Sequence, residues 1–260
     1  MFTTLCSRRA ISRTIASPLP KRYFHITPQI HASPLVERVN NVTMASSSGT
    51  PKVTSLVDLP SSDAKWVKLQ KATYIDAKGK ERVWEIASRK TTGSAGVDAV
   101  AMGNIIYHPT KAPSTIVVIQ FRPPVGGFTV EWPAGLIDAD EKPEEAAVRE
   151  LYEETGYKGK VISTSPPVAA DPGMTSANLC LCMVEIHLNE GDAEPEQHLD
   201  EGEDIQRVNI PIAELYERLE EFAKEGYVIA AKLYHWAAGA QYAIDHPDLF
   251  QKASKPAVGT

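Results

Sequence analysis

Acidic residues are missing from the start of the chain. Between Met1 and Val36 there is no Asp or Glu, while Arg8, Arg9, Arg13, Lys21 and Arg22 are spread among Ser, Thr and small apolar residues. That pattern resembles a mitochondrial presequence, and Arg22-Tyr23-Phe24 has the character of a processing site. Met44 opens MASSSGT and offers an internal start that would yield a second, cytoplasmic form. Long hydrophobic runs are absent as well: none approaches the ~18 residues of a spanning helix, so no membrane segment is expected. Cysteine is scarce, at three residues. Cys6 sits in the leader, and Cys180 and Cys182 share one face of an expected strand without zinc-ribbon spacing or obvious partners, which reads as buried thiols in a reducing compartment. Positive charge is outweighed, 27 Lys and Arg against 33 Asp and Glu for a net −6. A broad nucleic-acid-binding face is thereby excluded, although a few arginines could still hold a small anionic ligand. There are no internal repeats.

What is present suits one α/β domain with an appendage, since 260 residues with 43% hydrophobic content can supply a core. Residues 1–60, rich in Ser, Thr, Pro and Asn after the leader, are expected to be presequence and linker. An N-terminal β-element is expected over 61–107, with strands at Trp66–Ile75 and Arg82–Arg89 joined by the turn Asp76-Ala77-Lys78-Gly79, and a further strand at Val97–Tyr107. The main domain would occupy 108–250 and a flexible tail 251–260. The apolar run STIVVIQF, Ser114 to Phe121, predicts a central strand buried on both faces. Phe128 to Trp132 leads directly into Pro133-Ala134-Gly135; beyond it strands are expected at Lys160–Ser163 and Asn178–His187, and helices at Ile210–Lys224 and Val228–His246. Between them, Leu188 to Asp204 is dense in Asp, Glu, Gly and Pro and reads as a solvated loop that could close over a site.

The chemistry concentrates in GLIDADEKPEEAAVRELYEETGY, Gly135 to Tyr157. Pro143 suits a first helical position, Glu144 and Glu145 the positive amino end, and Gly156 the left-handed stop, so a helix is predicted over Pro143–Thr155. At 3.6 residues per turn, Glu150, Glu153 and Glu154 project within one arc, with Ala147, Val148, Leu151 and Tyr152 in the neighbouring one. Three carboxylates so spaced repel one another, a cost that a hard cation bound by oxygen would remove; Arg149 can pair with Glu153 four residues on. The bland alternative is a solvated acidic helix.

The whole pattern decides between them: Gly135, five residues, Glu141, seven residues, Arg149-Glu150-Leu151, one residue, Glu153-Glu154, one residue, Gly156 and bulky Tyr157 resembles the Nudix box at every fixed position. The resemblance implies a Nudix fold, a mixed β-sheet sandwiched between helices, and metal-dependent attack of water on a pyrophosphate. It extends over roughly Lys65 to His246 through KWVKLQKATYID, VWEIASR, QFRPPVGG, EWPAGLID and DPGMT. In these stretches the chain is most similar to the ADP-ribose pyrophosphatases of the ADP-sugar group, implying ADP-ribose as substrate, Mg²⁺ or Mn²⁺ as cofactor and a homodimer whose N-terminal elements reach across to the partner.

Carried over residue by residue, the resemblance makes Glu150 and Glu154 metal ligands, with the Ala134 carbonyl a third. Glu153 either binds metal or supports those that do, and Arg149 joins the catalytic set. Glu203 would bind metal or orient water, with Glu201 and Asp204 as alternatives in the same loop. Trp66 and Trp84 would stack on the adenine with Glu85 as polar partner, Arg89 and Arg122 would hold the diphosphate, and Leu136 and Asp171 would contact the substrate. On periodicity alone either tryptophan is a core residue, and either arginine a surface ion pair. Other ADP-sugars, diadenosine polyphosphates or oxidised nucleotides remain as alternative substrates, and a non-catalytic nucleotide-sugar binder as an alternative function.

Overall fold

The computed structural model describes residues 50–90 and 96–250. The expected presequence, Met44 and the tail from 251 lie outside them. Strands β1 (Val67–Ile75) and β2 (Glu81–Arg89) form an antiparallel hairpin that is a sheet of its own. Its turn is set by Asp76, whose Oδ1 accepts the N–H groups of Lys78 and Lys80 at 2.9 Å each, with Gly79 at φ 75°.

All other strands belong to one mixed sheet. They are β3 (Ala99–His108), β4 (Lys111–Arg122), β5 (Gly127–Glu131) and β6 (Ala134–Leu136), then, after helix α1 (Pro143–Thr155), β7 (Lys160–Thr164), β8 (Val168–Ala169), β9 (Asn178–His187) and β10 (Ile205–Pro211). Helix α2 (Leu215–Glu225), the short β11 (Val228–Ile229) and helix α3 (Ala231–Asp245) follow, with short 3-10 turns at Pro123–Val125, Ile212–Glu214 and Pro247–Phe250. Three expectations change. β3, assigned to the N-terminal element by its place in the chain, pairs in parallel with β9 from Ala99 to Tyr107 and so belongs to the main sheet. Ile210 and Pro211, read as the start of a helix, instead close the strand Ile205–Pro211 on β4. Val228–Ile229, read as helix, pairs with β5. In the last two cases a partner distant in sequence overrides the local pattern.

The sheet forks, and the fork decides where the site lies. β4 pairs with β3 near their connecting turn, Ile106 opposite Ser114, and with β5 from Val118 to Arg122. β3 meanwhile pairs with β6 from Ala99 to Ala101. Between these pairings Ile116 is served by a side chain: Asn104 Oδ1 accepts the Ile116 N–H at 2.7 Å, and Asn104 Nδ2 donates to the Ile116 carbonyl at 2.9 Å. The chain crosses the gap at Trp132-Pro133, where the Met102 N–H donates to Pro133 O at 2.8 Å.

The continuous apolar run on β4 is buried on both faces, as expected. Ile116 packs with Met102, Ala147, Leu151 and Cys182 under α1, while Val117 and Ile119 pack with Phe128, Leu219, Phe222 and Leu233 under α2 and α3. On α1 the buried face includes Ala146, Ala147, Leu151, Glu154 and Thr155; Val148, expected to pack, is 37% exposed. Among the described residues no helix is long and apolar enough to cross a membrane.

Asn104 is 1% exposed, so Asn104→Leu would strand a buried N–H and a buried C=O of Ile116. Each such group costs about 1–3 kcal/mol, so urea denaturation should show a loss of roughly 2–5 kcal/mol, and a loss under about 1 kcal/mol would show that the fork is held otherwise.

Candidate active site

Helix α1 begins and ends where its capping residues dictate. Pro143 occupies the first turn, the Lys142 N–H donates to Glu145 Oε2 at 3.0 Å, and Gly156 closes the end at φ 77° with its N–H on Tyr152 O. Arg149 is the hub of its polar face. The guanidinium makes a two-bond fork to Glu141, at 2.9 and 2.8 Å, and its Nη1 reaches Glu150 Oε1 at 2.8 Å and Glu153 Oε2 at 3.1 Å. Its Nη2 also donates to the Leu136 carbonyl at 3.1 Å, tying the helix to the end of β6. The bond from Arg149 holds the Glu141 carboxyl below the usual range, and Glu141 in turn raises the arginine.

Glu154 faces inward. It is 4% exposed, and its Oε2 accepts the Ala134 N–H at 3.1 Å. Burial, with Glu150 and Glu203 adding repulsion, pushes its pKa up to about 8. Burial also raises Glu150, although Arg149 opposes the shift. Gly135 leaves room for the Glu150 carboxylate: a Cβ on it would lie 1.9 Å from the Glu150 Cδ and would push that group out of its present place.

The acidic segment after β9 is docked on the carboxyl end of α1. The His198 N–H donates to Glu153 O at 2.8 Å, and Gln197 Nε2 donates to Glu154 O at 2.6 Å. This brings Asp200 and Glu203 to the site, whereas Glu201 and Asp204, the alternatives to Glu203, are not part of the cleft. The cleft has a volume of about 430 Å³ and is lined by Gln120, Arg122, Ala134, Gly135, Leu136, Asp138, Arg149, Glu150, Glu153, Glu154, Asp200 and Glu203.

Arg122 stands at this cleft, and Glu131 fixes it there. Its Nε donates to Glu131 Oε1 at 2.8 Å and its Nη2 to Oε2 at 3.1 Å. Burial works against the charge on Arg122, but the Glu131 carboxylate outweighs it and the pKa is raised. Sequence reading missed Glu131, although alternation could have found it: Thr129 and Glu131 lie two apart on β5, on the same side as Gln120 and Arg122 of β4. Asp200 was missed too, because nothing local separates it from the other acids of its loop.

The remaining predicted residues lie apart from the cleft. Trp66 and Trp84 are 68% and 51% exposed on the hairpin, not buried as periodicity alone suggested. Trp84 Nε1 donates to Gly173 O at 3.0 Å, so the hairpin carries the Asp171 turn, in which Asp171 Oδ1 accepts the Gly173 N–H at 3.2 Å. Glu85 is exposed opposite Lys71, on the reverse face of β2 from Trp84. Arg89 lines a separate groove with Lys68, Lys71 and Ser176.

Oxygen is the only donor type the acidic residues offer, which suits a hard divalent cation. Among the described residues no three acidic, histidine or cysteine side chains already converge on one ion position. Arg149 and the Ala134 N–H instead occupy oxygens of Glu150, Glu153 and Glu154. The fit lies in the charge: six carboxylates face two guanidinium groups in the cleft, and one of those carboxylates is almost fully buried.

Comparison with known proteins agrees with this geometry. The NUDIX domain model matches residues 98–236. The chain is 39% identical over 203 residues to an ADP-ribose pyrophosphatase of Saccharomyces cerevisiae, covering 76% of this chain and 88% of the relative. It is 37% identical over 188 residues to an ADP-sugar pyrophosphatase of Mus musculus, covering 72% and 86%. A crystal structure of an ADP compounds hydrolase overlays with a TM-score of 0.44 at 21% identity, over 65% of this chain and 80% of the other. The family match spans more than half of the chain and its box is intact, so this chain belongs to the Nudix hydrolases, a family that generally needs a divalent metal.

Proposed function

We propose that the protein hydrolyses the pyrophosphate bond of ADP-ribose to AMP and ribose 5-phosphate with Mg²⁺, which Mn²⁺ can replace. The observation that carries the reaction class is the excess of carboxylates over guanidinium groups in one cleft. A diphosphate is itself anionic and would be repelled there unless cations came with it. The choice of ADP-ribose rests on the names of the two relatives and on the exposed tryptophans of the hairpin.

Glu150, Glu154 and the Ala134 carbonyl would hold the cation, with Glu153 and Glu203 beside them. When bound, it neutralises charge on the diphosphate and makes water a better nucleophile near neutral pH. The chain's own groups do the remainder. Glu203 reaches the cleft from a docked loop and can accept a proton from the attacking water. Arg122 spends Nε and Nη2 on Glu131, which orients the fork and leaves Nη1 for a phosphate oxygen. Arg149 is committed to carboxylates, so its part is to hold Glu141, Glu150 and Glu153 in place.

The adenine site requires a second chain in this reading. Trp66 lies opposite Lys90, six residues beyond Trp84 along β2. At roughly 3.3 Å per residue the backbone positions of the two residues stand ~20 Å apart along the strand, far more than the thickness of one base, so each adenine would take Trp66 from one subunit and Trp84 from the other of a homodimer.

Incubation of ADP-ribose with Mg²⁺ should release AMP and ribose 5-phosphate, and Glu154→Gln should lower kcat by on the order of 100-fold with the fold intact. Better turnover of diadenosine polyphosphates would reject the substrate, and a fully active Glu154→Gln variant would reject the metal assignment.

Glu154 also makes a pH prediction. Its pKa in the fold, about 8, is above the ordinary 4.5, so between these values the folded state binds more protons than the unfolded state. Stability of the cation-free protein therefore falls as pH rises from about 4.5 to about 8. Added Mg²⁺ should raise Tm more at pH 8 than at pH 6, because it relieves a repulsion present only when the carboxylate is charged. Equal shifts at both pH values would show that Glu154 is not the linked group.

For the dimer, Trp66→Ala and Trp84→Ala should each weaken ADP-ribose binding by roughly 5- to 150-fold. Co-expression of the two variants should restore about a quarter of the sites, since a mixed dimer gathers both intact rings at one of its two positions. Counting tight sites in proven mixed dimers, without turnover, settles the matter: none would mean that both rings come from one chain.

A further inference from the structure

A helix leaves its last carbonyl groups unpaired, and in α1 three of them are met by the segment between Gln197 and Arg207. The His198 N–H takes Glu153 O, Gln197 Nε2 takes Glu154 O, and Arg207 Nη1 takes Thr155 O. Gln197 differs from the other two in holding a second backbone carbonyl, whereas the second bond of Arg207 goes to the exposed Glu194 side chain at 3.1 Å. Its Nε2 also donates to the carbonyl of Ile205, the first residue of β10, at 3.0 Å, beside the 2.6 Å bond to Glu154. An amide NH₂ group has two hydrogens, so both bonds can be made at once.

Together these bonds pin the start and the end of the loop from Gln197 to Ile205 on the backbone of Glu154. Within that loop the Asp200 N–H donates to Glu203 Oε2 at 3.1 Å, and the Glu203 N–H to Asp200 O at 3.1 Å, forming a turn whose two acids face the cleft. His198 stacks on Tyr152 of α1 at 4.4 Å between ring centroids. Opposing all of this is repulsion, because Asp200 and Glu203 approach Glu150, Glu153 and Glu154 with like charge. Gln197 itself lies outside the cleft.

We infer that Gln197 is a positioning residue for hydrolysis: its two backbone bonds hold the Asp200–Glu203 turn against Glu150 and Glu154 in spite of that repulsion. The inference rests on the reading of Glu203 as a working group. It differs from simple helix capping, since a cap needs only the bond to Glu154.

Gln197→Met keeps the side-chain length and removes both donors. In the full chain without divalent cation, amides 198–204 should exchange with solvent ~10-fold faster or more, while amides of α2 and α3 keep their wild-type rates. With Mg²⁺, kcat for ADP-ribose should fall ~10- to 100-fold and KM should change less than ~2-fold. On a Glu203→Gln background the same change should add under ~2-fold, because the two act through one step. Unchanged exchange would overturn the inference, and so would penalties that multiply on the Glu203→Gln background, which mark a merely structural role. If Gln197→Met does not fold, Gln197→Asn, which is one carbon too short to reach both carbonyls, should give the same pattern at smaller size; wild-type exchange and kcat in that variant would likewise overturn it. An unimpaired Glu203→Gln protein would refute the reading beneath, whereas an impaired one beside a normal Gln197→Met protein would refute Gln197 alone.

Discussion

A carboxylate buried among other carboxylates is the constraint on which the site depends. Glu154 is almost without solvent, and its neighbours Glu150 and Glu203 disfavour its charge further. A lone buried anion would simply stay protonated, so the arrangement is intelligible only if positive charge enters the cleft. Every local device around it serves that crowding. Gly135 removes the Cβ that would collide with Glu150, Arg149 spreads one charge over Glu141, Glu150 and Glu153, and the Ala134 N–H supports Glu154.

The two arginines at the cleft divide the work by how they are tied. Arg149 gives its Nε, Nη1 and Nη2 to protein acceptors and so belongs to the scaffold of the acidic face. Arg122 is held along one edge only, by a single acid on the neighbouring strand. A guanidinium fixed on one edge presents the other edge with little loss of rotamer entropy on binding, which is the economical arrangement for an anionic ligand.

Local rules made some of this legible in the sequence and hid the rest. The bounds of α1 followed from Pro143 and Gly156 because capping is settled within one turn. Gly135, Arg149, Glu150, Glu153 and Glu154 were legible as a set because their spacing is itself the pattern. What escaped depends on partners far away in the chain. Ile210 and Pro211 looked like the first turn of a helix until β4 paired with them, and β3 was grouped with the hairpin it follows instead of with β9. The tether between Arg122 and Glu131 joins two strands, and Asp200 is distinguished from its acidic neighbours only by the way its loop docks on α1. For the same reason Val148, which helical phase placed with the packing residues, turned out to lie beyond the edge of the sheet contact.

The fork in the sheet shows why the site lies where it does. A strand can keep only one partner on each edge, so when β5 takes over from β3 on β4, the edge of β3 is freed for β6. The short crossing at Trp132-Pro133 carries Ala134 and Gly135 directly under α1. Proline is suited to the crossing, having no N–H to leave unpaired there. The crossing still has a cost. Trp132 Nε1 is the one buried side-chain nitrogen or oxygen among the described residues without a hydrogen-bond partner. Its ring packs edge-on against Trp236 at 5.2 Å, with Gly103 leaving room beside it. Apolar contact on that scale can offset the ~1–3 kcal/mol of one unmet donor, whereas Asn104 could not be spared, because the fork would then leave two backbone groups of a central strand unpaired.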